Sequence, residues 1–200
     1  MTMVREITAD DWAALRDVRL AALSEAPYAF GSTYAREAAF TEDRWRMRIS
    51  ERSVTFFAEA VPAAPAVPAF SSVPAVPAIP AVSAVPAVSA VPAVSAVSAG
   101  PAGIAGIAGI AGVFVEAADA DLVSMWVRPS ARGRGVGDAL VEAAASWARE
   151  RGHPELFLWV TESNAPARRL YQRLGFSPTG ERQPLPSDPT LPEIRMSRTL

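Results

Sequence analysis

Val127-Arg-Pro-Ser-Ala-Arg132-Gly-Arg-Gly-Val-Gly137 decides how this chain is read. Leu122–Arg128 reads as a strand that Pro129 ends, and a helix is expected from about Val136 to Arg151. In that helix Val136, Leu140, Ala144 and Trp147 recur at helical spacing and form the apolar side. The run between them is therefore a strand-to-helix turn. Gly133, Gly135 and Gly137 permit positive φ and let a ligand approach the backbone closely. The helix start adds unpaired N–H groups and a partial positive charge, a combination that suits a pyrophosphate. Arg132 and Arg134 would add charge-assisted hydrogen bonds. Taken alone, the run also fits an ordinary solvated turn. A P-loop would need Gly-Lys-Ser/Thr, whereas Gly137-Asp-Ala stands here. A dinucleotide fold would put its glycines after the first strand of the unit, with an acid about twenty residues on; this turn comes late in the chain.

The second informative run is Asn164-Ala-Pro-Ala-Arg-Arg-Leu-Tyr171-Gln-Arg-Leu-Gly-Phe176. Pro166 suits a first helical turn. Ala167, Leu170, Tyr171 and Leu174 share one face, which points Tyr171 inward; by itself this fits a core aromatic, and Asn164 fits a helix N-cap. Glu155–Thr161 is the strand between the two helices, and Phe176–Glu181 with Glu193–Thr199 make a last strand pair. Upstream, Met3–Ile7 reads as a strand and Thr8-Ala-Asp-Asp as a capping box opening a helix to about Leu23. Thr41-Glu-Asp opens a second helix with Trp45 and Ile49 at i and i+4, and Ser53–Glu59 is a strand. The whole predicts an α/β fold of mixed sheet with helices on both faces.

No charged residue occurs between Glu59 and Glu116. Val-Pro-Ala, Val-Ser-Ala and then Gly-Ile-Ala repeats fill this window, and its prolines forbid a regular helix or a central strand. The reading is one domain over 1–200, interrupted at 60–112 by a disordered, Ala/Pro/Val/Ser/Gly-rich low-complexity insert in the loop between the second and third strands. Its partner strand is expected at Ile110–Glu116. Proline content and the lack of an aromatic belt argue against a membrane span.

The chain has 200 residues, a net charge of −2, no cysteine and one histidine. That excludes disulfides, a cysteine nucleophile and a multi-histidine metal site, and it argues against a bulk nucleic-acid binder. His153 reads as a solvated turn residue. No signal peptide is read at the N-terminus, so a cytoplasmic location is expected.

The two runs, in this order and spacing, resemble the GNAT superfamily of acetyl-coenzyme A-dependent N-acetyltransferases, specifically over Leu122–Phe176. Ala29-Phe-Gly-Ser-Thr-Tyr-Ala-Arg-Glu resembles small bacterial members more weakly. The resemblance implies a GNAT acyl-CoA N-acyltransferase-like fold, acetyl-CoA as co-substrate with no metal, and a small-molecule or peptide amine as acceptor. The backbone of Met125, Trp126 and Val127 would pair with the pantetheine arm. Amides of Gly133, Arg134, Gly135, Val136, Gly137 and Asp138 would hold the pyrophosphate. Asn164 would hydrogen-bond the pantetheine, and Tyr171 would protonate the departing thiolate. The sheet would splay between the Leu122 and Glu155 strands, and the amine would attack the thioester directly.

Two departures stand out. Relatives carry a carboxylate on the strand before the asparagine, where Trp159 stands here. The base is thereby left to Glu162, Asp121 or a water chain, and a non-catalytic acyl-CoA sensor is the alternative function. Asp138 stands where relatives often place a cation. The acceptor's identity and the oligomeric state, a homodimer included, are left open.

Overall fold

A computed structural model describes residues 2–49, 53–60, 104 and 106–200. The expected insert, apart from its C-terminal end, lies outside the described residues. Seven strands form one sheet in the order β1-β2-β3-β4-β5-β7-β6. They are β1 Thr2–Glu6, β2 Ser53–Ala60, β3 Ile107–Glu116, β4 Asp119–Val127, β5 Glu155–Thr161, β6 Ser177–Leu185 and β7 Asp188–Thr199. All neighbours are antiparallel except β4 and β5. The helices are α1 Trp12–Glu25, α2 Tyr34–Ala38, α3 Glu42–Arg46, α4 Val136–Glu150 and α5 Ala165–Arg173. The mixed α/β sheet with helices on both faces is as expected.

Each face of the sheet is buried under its own helices. On one face, Leu140, Val141, Ala144 and Ala148 of α4 pack with Val113, Leu122, Leu156, Leu158 and Met196. On the other, Leu15, Val18, Ala22 and Leu23 of α1 pack with Trp45, Phe57 and Ile110. β3 lies between β2 and β4, and its first seven residues are all buried. It starts at Ile107 rather than Ile110, so residues 107–112 belong to the sheet and not to the insert. The physical reason is that two-sided burial suits the unbroken apolar run Ile107–Val113.

Other boundaries also moved. α1 runs on to Glu25. The helix opened by Thr41 is short, ends at Arg46 and leaves Ile49 outside it. α2 was unforeseen; Thr33 caps it by accepting from the Arg36 N–H at 3.3 Å. Among the described residues no helix is long and apolar enough to cross a membrane.

Candidate functional site

β4 and β5 pair through only three positions, Ala120↔Leu156, Asp121↔Phe157 and Leu122↔Leu158. Beyond Leu122 no pairing joins them, which is the expected splay. β4 also carries a bulge against β3: Ile110 pairs with Trp126 but Gly112 with Val123, and Ser124 has φ 58°. A bulge increases local twist and re-aims a strand, and here it lies just where the two strands part. A cleft of about 690 Å³ opens there, lined by Ser124 and Met125 of β4, Trp159 and Thr161 of β5, and Asn164 and Tyr171 of the following segment.

At the N-terminus of α4 the glycine turn has the geometry that an anion needs. Gly133 has φ 72° and Gly135 φ 77°, and a Cβ at either would meet nothing within 4 Å, so the turn faces open space. The N–H groups of residues 133 to 138 make no hydrogen bond among the described residues; the first N–H spent within the helix is that of Ala139, donated to the Gly135 carbonyl at 3.0 Å. Val136 is buried and anchors the turn to the core. Gly137 differs from expectation: its φ is not positive, and a Cβ there would sit 3.1 Å from Leu170 Cδ2, so the Leu170 side chain would have to give by a few tenths of an ångström.

The flanking charges divide the work. Arg132 does not stand free for phosphate. Its Nη2 donates to Glu25 Oε2 at 2.7 Å and its Nε to the Val127 carbonyl at 3.0 Å. Trp126 Nε1 donates to the same Glu25 oxygen at 3.0 Å, so Arg132 fastens the turn to the end of α1. The Trp126 side chain belongs to the α1-side core, and of residues 125–127 only Met125 lines the cleft. Arg134 is exposed and pairs with nothing among the described residues. Asp138, which could oppose an anion, pairs with Arg173 at 2.5 Å.

Asn164 does cap α5, its Oδ1 accepting from the Ala167 N–H at 3.3 Å. Its amide NH₂ makes no hydrogen bond among the described residues, and Asn164 lines the cleft. Tyr171 faces inward as expected, 6% exposed, edge-on to Phe176 with ring centroids 5.7 Å apart. Burial pushes its phenol above the usual tyrosine range, and its hydroxyl has no partner among the described residues.

The candidate bases separate cleanly. Glu162 is turned to Arg182 at 3.2 Å and lies outside the cleft. Asp121 lines the cleft, and its Oδ1 is buried without a hydrogen bond. Burial raises its pKa above the ordinary 3.8, although Arg195, 3.9 Å away, opposes the rise.

Sequence reasoning missed two other carboxylates in the cleft. Glu37 is 1% exposed and pairs with Arg19 at 2.9 Å and Arg48 at 3.2 Å. Burial alone would raise its pKa, but the two arginines together hold it below 4.5. Glu193 is the other, and burial raises its pKa. Of the remaining cleft arginines, Arg44 lies over the Phe40 ring at 5.6 Å and Arg36 is exposed. No group of three or more metal-ligating side chains occurs among the described residues.

Residues 96–176 match the model of the acetyltransferase (GNAT) family. Streptothricin acetyltransferase of Streptomyces lavendulae is 51% identical over 51 residues, 26% of this chain and 27% of that protein. The chain thus spans about a quarter of the length of the curated relatives it matches. Among solved structures, a GNAT-family acetyltransferase of Streptococcus pneumoniae superposes with a TM-score of 0.63 at 17% identity, covering 100% of this chain and 99% of that one. The PaiA N-acetyltransferase of Thermoplasma acidophilum, solved in complex with coenzyme A, superposes with a TM-score of 0.56 at 13% identity, over 100% and 99%. At these identities the two structures speak for the fold.

Proposed function

We propose that this chain, whose residues 96–176 match the acetyltransferase (GNAT) family model, transfers the acetyl group of acetyl-coenzyme A to an amine held in the β4–β5 cleft. One observation carries the reading: a row of uncommitted N–H groups at residues 133–138 stands next to Met125, whose Cε would lie 3.5 Å from a Cβ at Gly137, and Met125 lines the strand gap together with Asn164 and Tyr171. The coenzyme would supply a thioester whose carbonyl carbon a neutral amine attacks.

The chain's own groups have distinct tasks. Amides of Gly133–Asp138, with Arg134, hold the diphosphate. The unpaired edge of β4 beyond Leu122 and the Asn164 amide align the pantetheine. Asp121 takes the amine proton, directly or through a water. Tyr171, kept protonated by burial, gives a proton to the sulfur as the C–S bond breaks. Asp121 in the cleft supplies the carboxylate that Trp159 leaves missing, which favours an enzyme over a non-catalytic sensor.

Acetyl-coenzyme A is expected to raise Tm, since a ligand of the native state alone stabilises by about 2.7 kcal/mol at a hundredfold its Kd. Thiol release measured across an amine library is expected to show turnover; a flat Tm at saturating coenzyme would end the proposal. Tyr171→Phe should lower kcat about a hundredfold or more while the coenzyme-dependent Tm rise persists. A Tyr171→Phe enzyme that turns over at the wild-type rate would remove Tyr171 from the chemistry.

Asp121→Asn should cost a similar factor, and it carries a pH signature. A base must be ionised, and burial raises its pKa. The wild-type rate should therefore fall with decreasing pH at a value above the ordinary aspartate range, and this limb should vanish in Asp121→Asn. A limb that survives the substitution would belong to another group.

A further inference from the structure

Glu193 is 6% exposed and lines the cleft, yet no cation among the described residues answers it. Gln183 Nε2 donates to its Oε2 at 3.1 Å, and Oε1 has no partner among the described residues. Every other cleft carboxylate has an arginine within 4 Å: Arg19 and Arg48 at Glu37, Arg195 at Asp121. Arg195 stands two residues along β7 on the same face as Glu193 but reaches the other way. It pairs with Asp119 at 2.7 Å and Glu181 at 3.3 Å, and lies over the Phe157 ring at 4.3 Å. A carboxylate withdrawn from water without a counter-charge is costly. A cation delivered by a ligand would relieve that cost.

The strand registers place this carboxylate relative to the chemistry. Glu193 is opposite Thr161, and Asp121 is opposite Phe157. Thr161 and Phe157 are four residues apart on β5, so all four side chains share one face. The splay lies between the two acids, with Asp121 at the paired end and Glu193 at the open end. Two strand spacings and four residues of rise put their backbones on the order of 15 Å apart. The half-buried Trp159 lies between them and lines the cleft, with the Arg195 guanidinium 5.9 Å from its ring centroid.

We propose that Glu193 is the subsite for a second cation of the acceptor, so that the substrate is a diamine or polyamine-like molecule with one nitrogen acetylated and another held by Glu193. This rests on the acetyl-transfer reading of the same cleft. A distal ammonium bound at Glu193 fixes the molecule, and the reacting nitrogen then lies in the gap towards Asp121 and Tyr171.

Thiol release is measured with acetyl-coenzyme A and diaminoalkanes, diaminobutane through diaminodecane, against monoaminoalkanes of equal length, for the wild-type chain and Glu193→Gln. The wild type should prefer the best diamine over its monoamine by tenfold or more in kcat/KM, chiefly through KM. Glu193→Gln should erase that preference. A merely structural role would weaken both series alike and keep their ratio. Three results would overturn the proposal: equal use of both series by the wild type, a preference that survives Glu193→Gln, or no alkylamine turnover by a chain whose Tm acetyl-coenzyme A raises. Failure of the coenzyme to raise Tm is a separate result and removes the acetyl-transfer reading itself.

Discussion

Gly135→Glu is expected to abolish the Tm rise that acetyl-coenzyme A gives the wild-type chain, whereas Gly152→Glu should leave it intact. Both glycines have left-handed backbone, φ 77° and 79°, and at both a Cβ would meet nothing within 4 Å. The two substitutions therefore impose a similar backbone strain, of order 1–2 kcal/mol, and each can be accommodated in the fold. They differ in place. Gly135 heads α4 amid the uncommitted N–H groups, and Gly152 follows its C-terminus. A glutamate at 135 puts bulk and negative charge where a diphosphate would sit. At a hundredfold its Kd the ligand contributes about 2.7 kcal/mol, or roughly 5–10 °C for a chain of this size. Differential scanning fluorimetry with and without coenzyme reads this difference. Equal responses of the two variants would mean that the turn does not bind the coenzyme.

That the turn could be found from sequence at all follows from its locality. Its glycines, the strand before it and the 3.6-residue pattern of Val136, Leu140, Ala144 and Trp147 occupy one short window, and each reinforces the others. The sequence suggests a positive φ at Gly137 that the structure lacks, because a glycine lying close against a neighbour, here the Leu170 side chain, looks in sequence like one required by φ. The start of β3 was misread because Ile107–Val113 is buried on both faces, so it shows no alternation and merges with the apolar repeat before it. Glu193 escaped notice for a related reason. Ile194 and Met196 mark the buried face of β7, and alternation then assigns Glu193 to water. That residue is nevertheless buried, and the segment near it is held by Thr161 Oγ1 donating to the Tyr28 carbonyl at 2.7 Å and Ser187 Oγ to Phe30 at 2.6 Å. Such contacts have no short-range signature.

The pair Arg19–Glu37 was equally illegible, and its loss should have the largest effect on stability. Arg19 is 5% and Glu37 1% exposed. Two nitrogens of Arg19 reach Glu37, Nε at 3.1 Å and Nη2 at 2.9 Å, while Nη1 donates to Ser124 Oγ at 3.4 Å across to β4. Glu37→Gln keeps the shape but leaves a buried guanidinium without its counter-charge, which costs about 3–5 kcal/mol and should lower Tm by roughly 6–20 °C. The penalty is for the orphaned charge and not for a missing attraction. Arg19→Met combined with Glu37→Leu removes the buried guanidinium as well and leaves only the less buried Arg48 without Glu37, so it should be less destabilised than Glu37→Gln alone. The pH dependence follows from the depressed pKa of Glu37. Its contribution is fully present above the ordinary glutamate value of 4.5 and is lost as pH falls through the lower folded value. The gap between wild type and Glu37→Gln should accordingly be widest near neutral pH and narrow in acid. Because Arg19 also braces Ser124 at the β4 bulge, Glu37→Gln should weaken coenzyme binding even at temperatures where the chain stays folded. Chemical denaturation at two pH values, with coenzyme titrated at the higher, measures both effects. A Glu37→Gln chain as stable as wild type at neutral pH would show that the pair is solvated in solution and does not set the cleft wall.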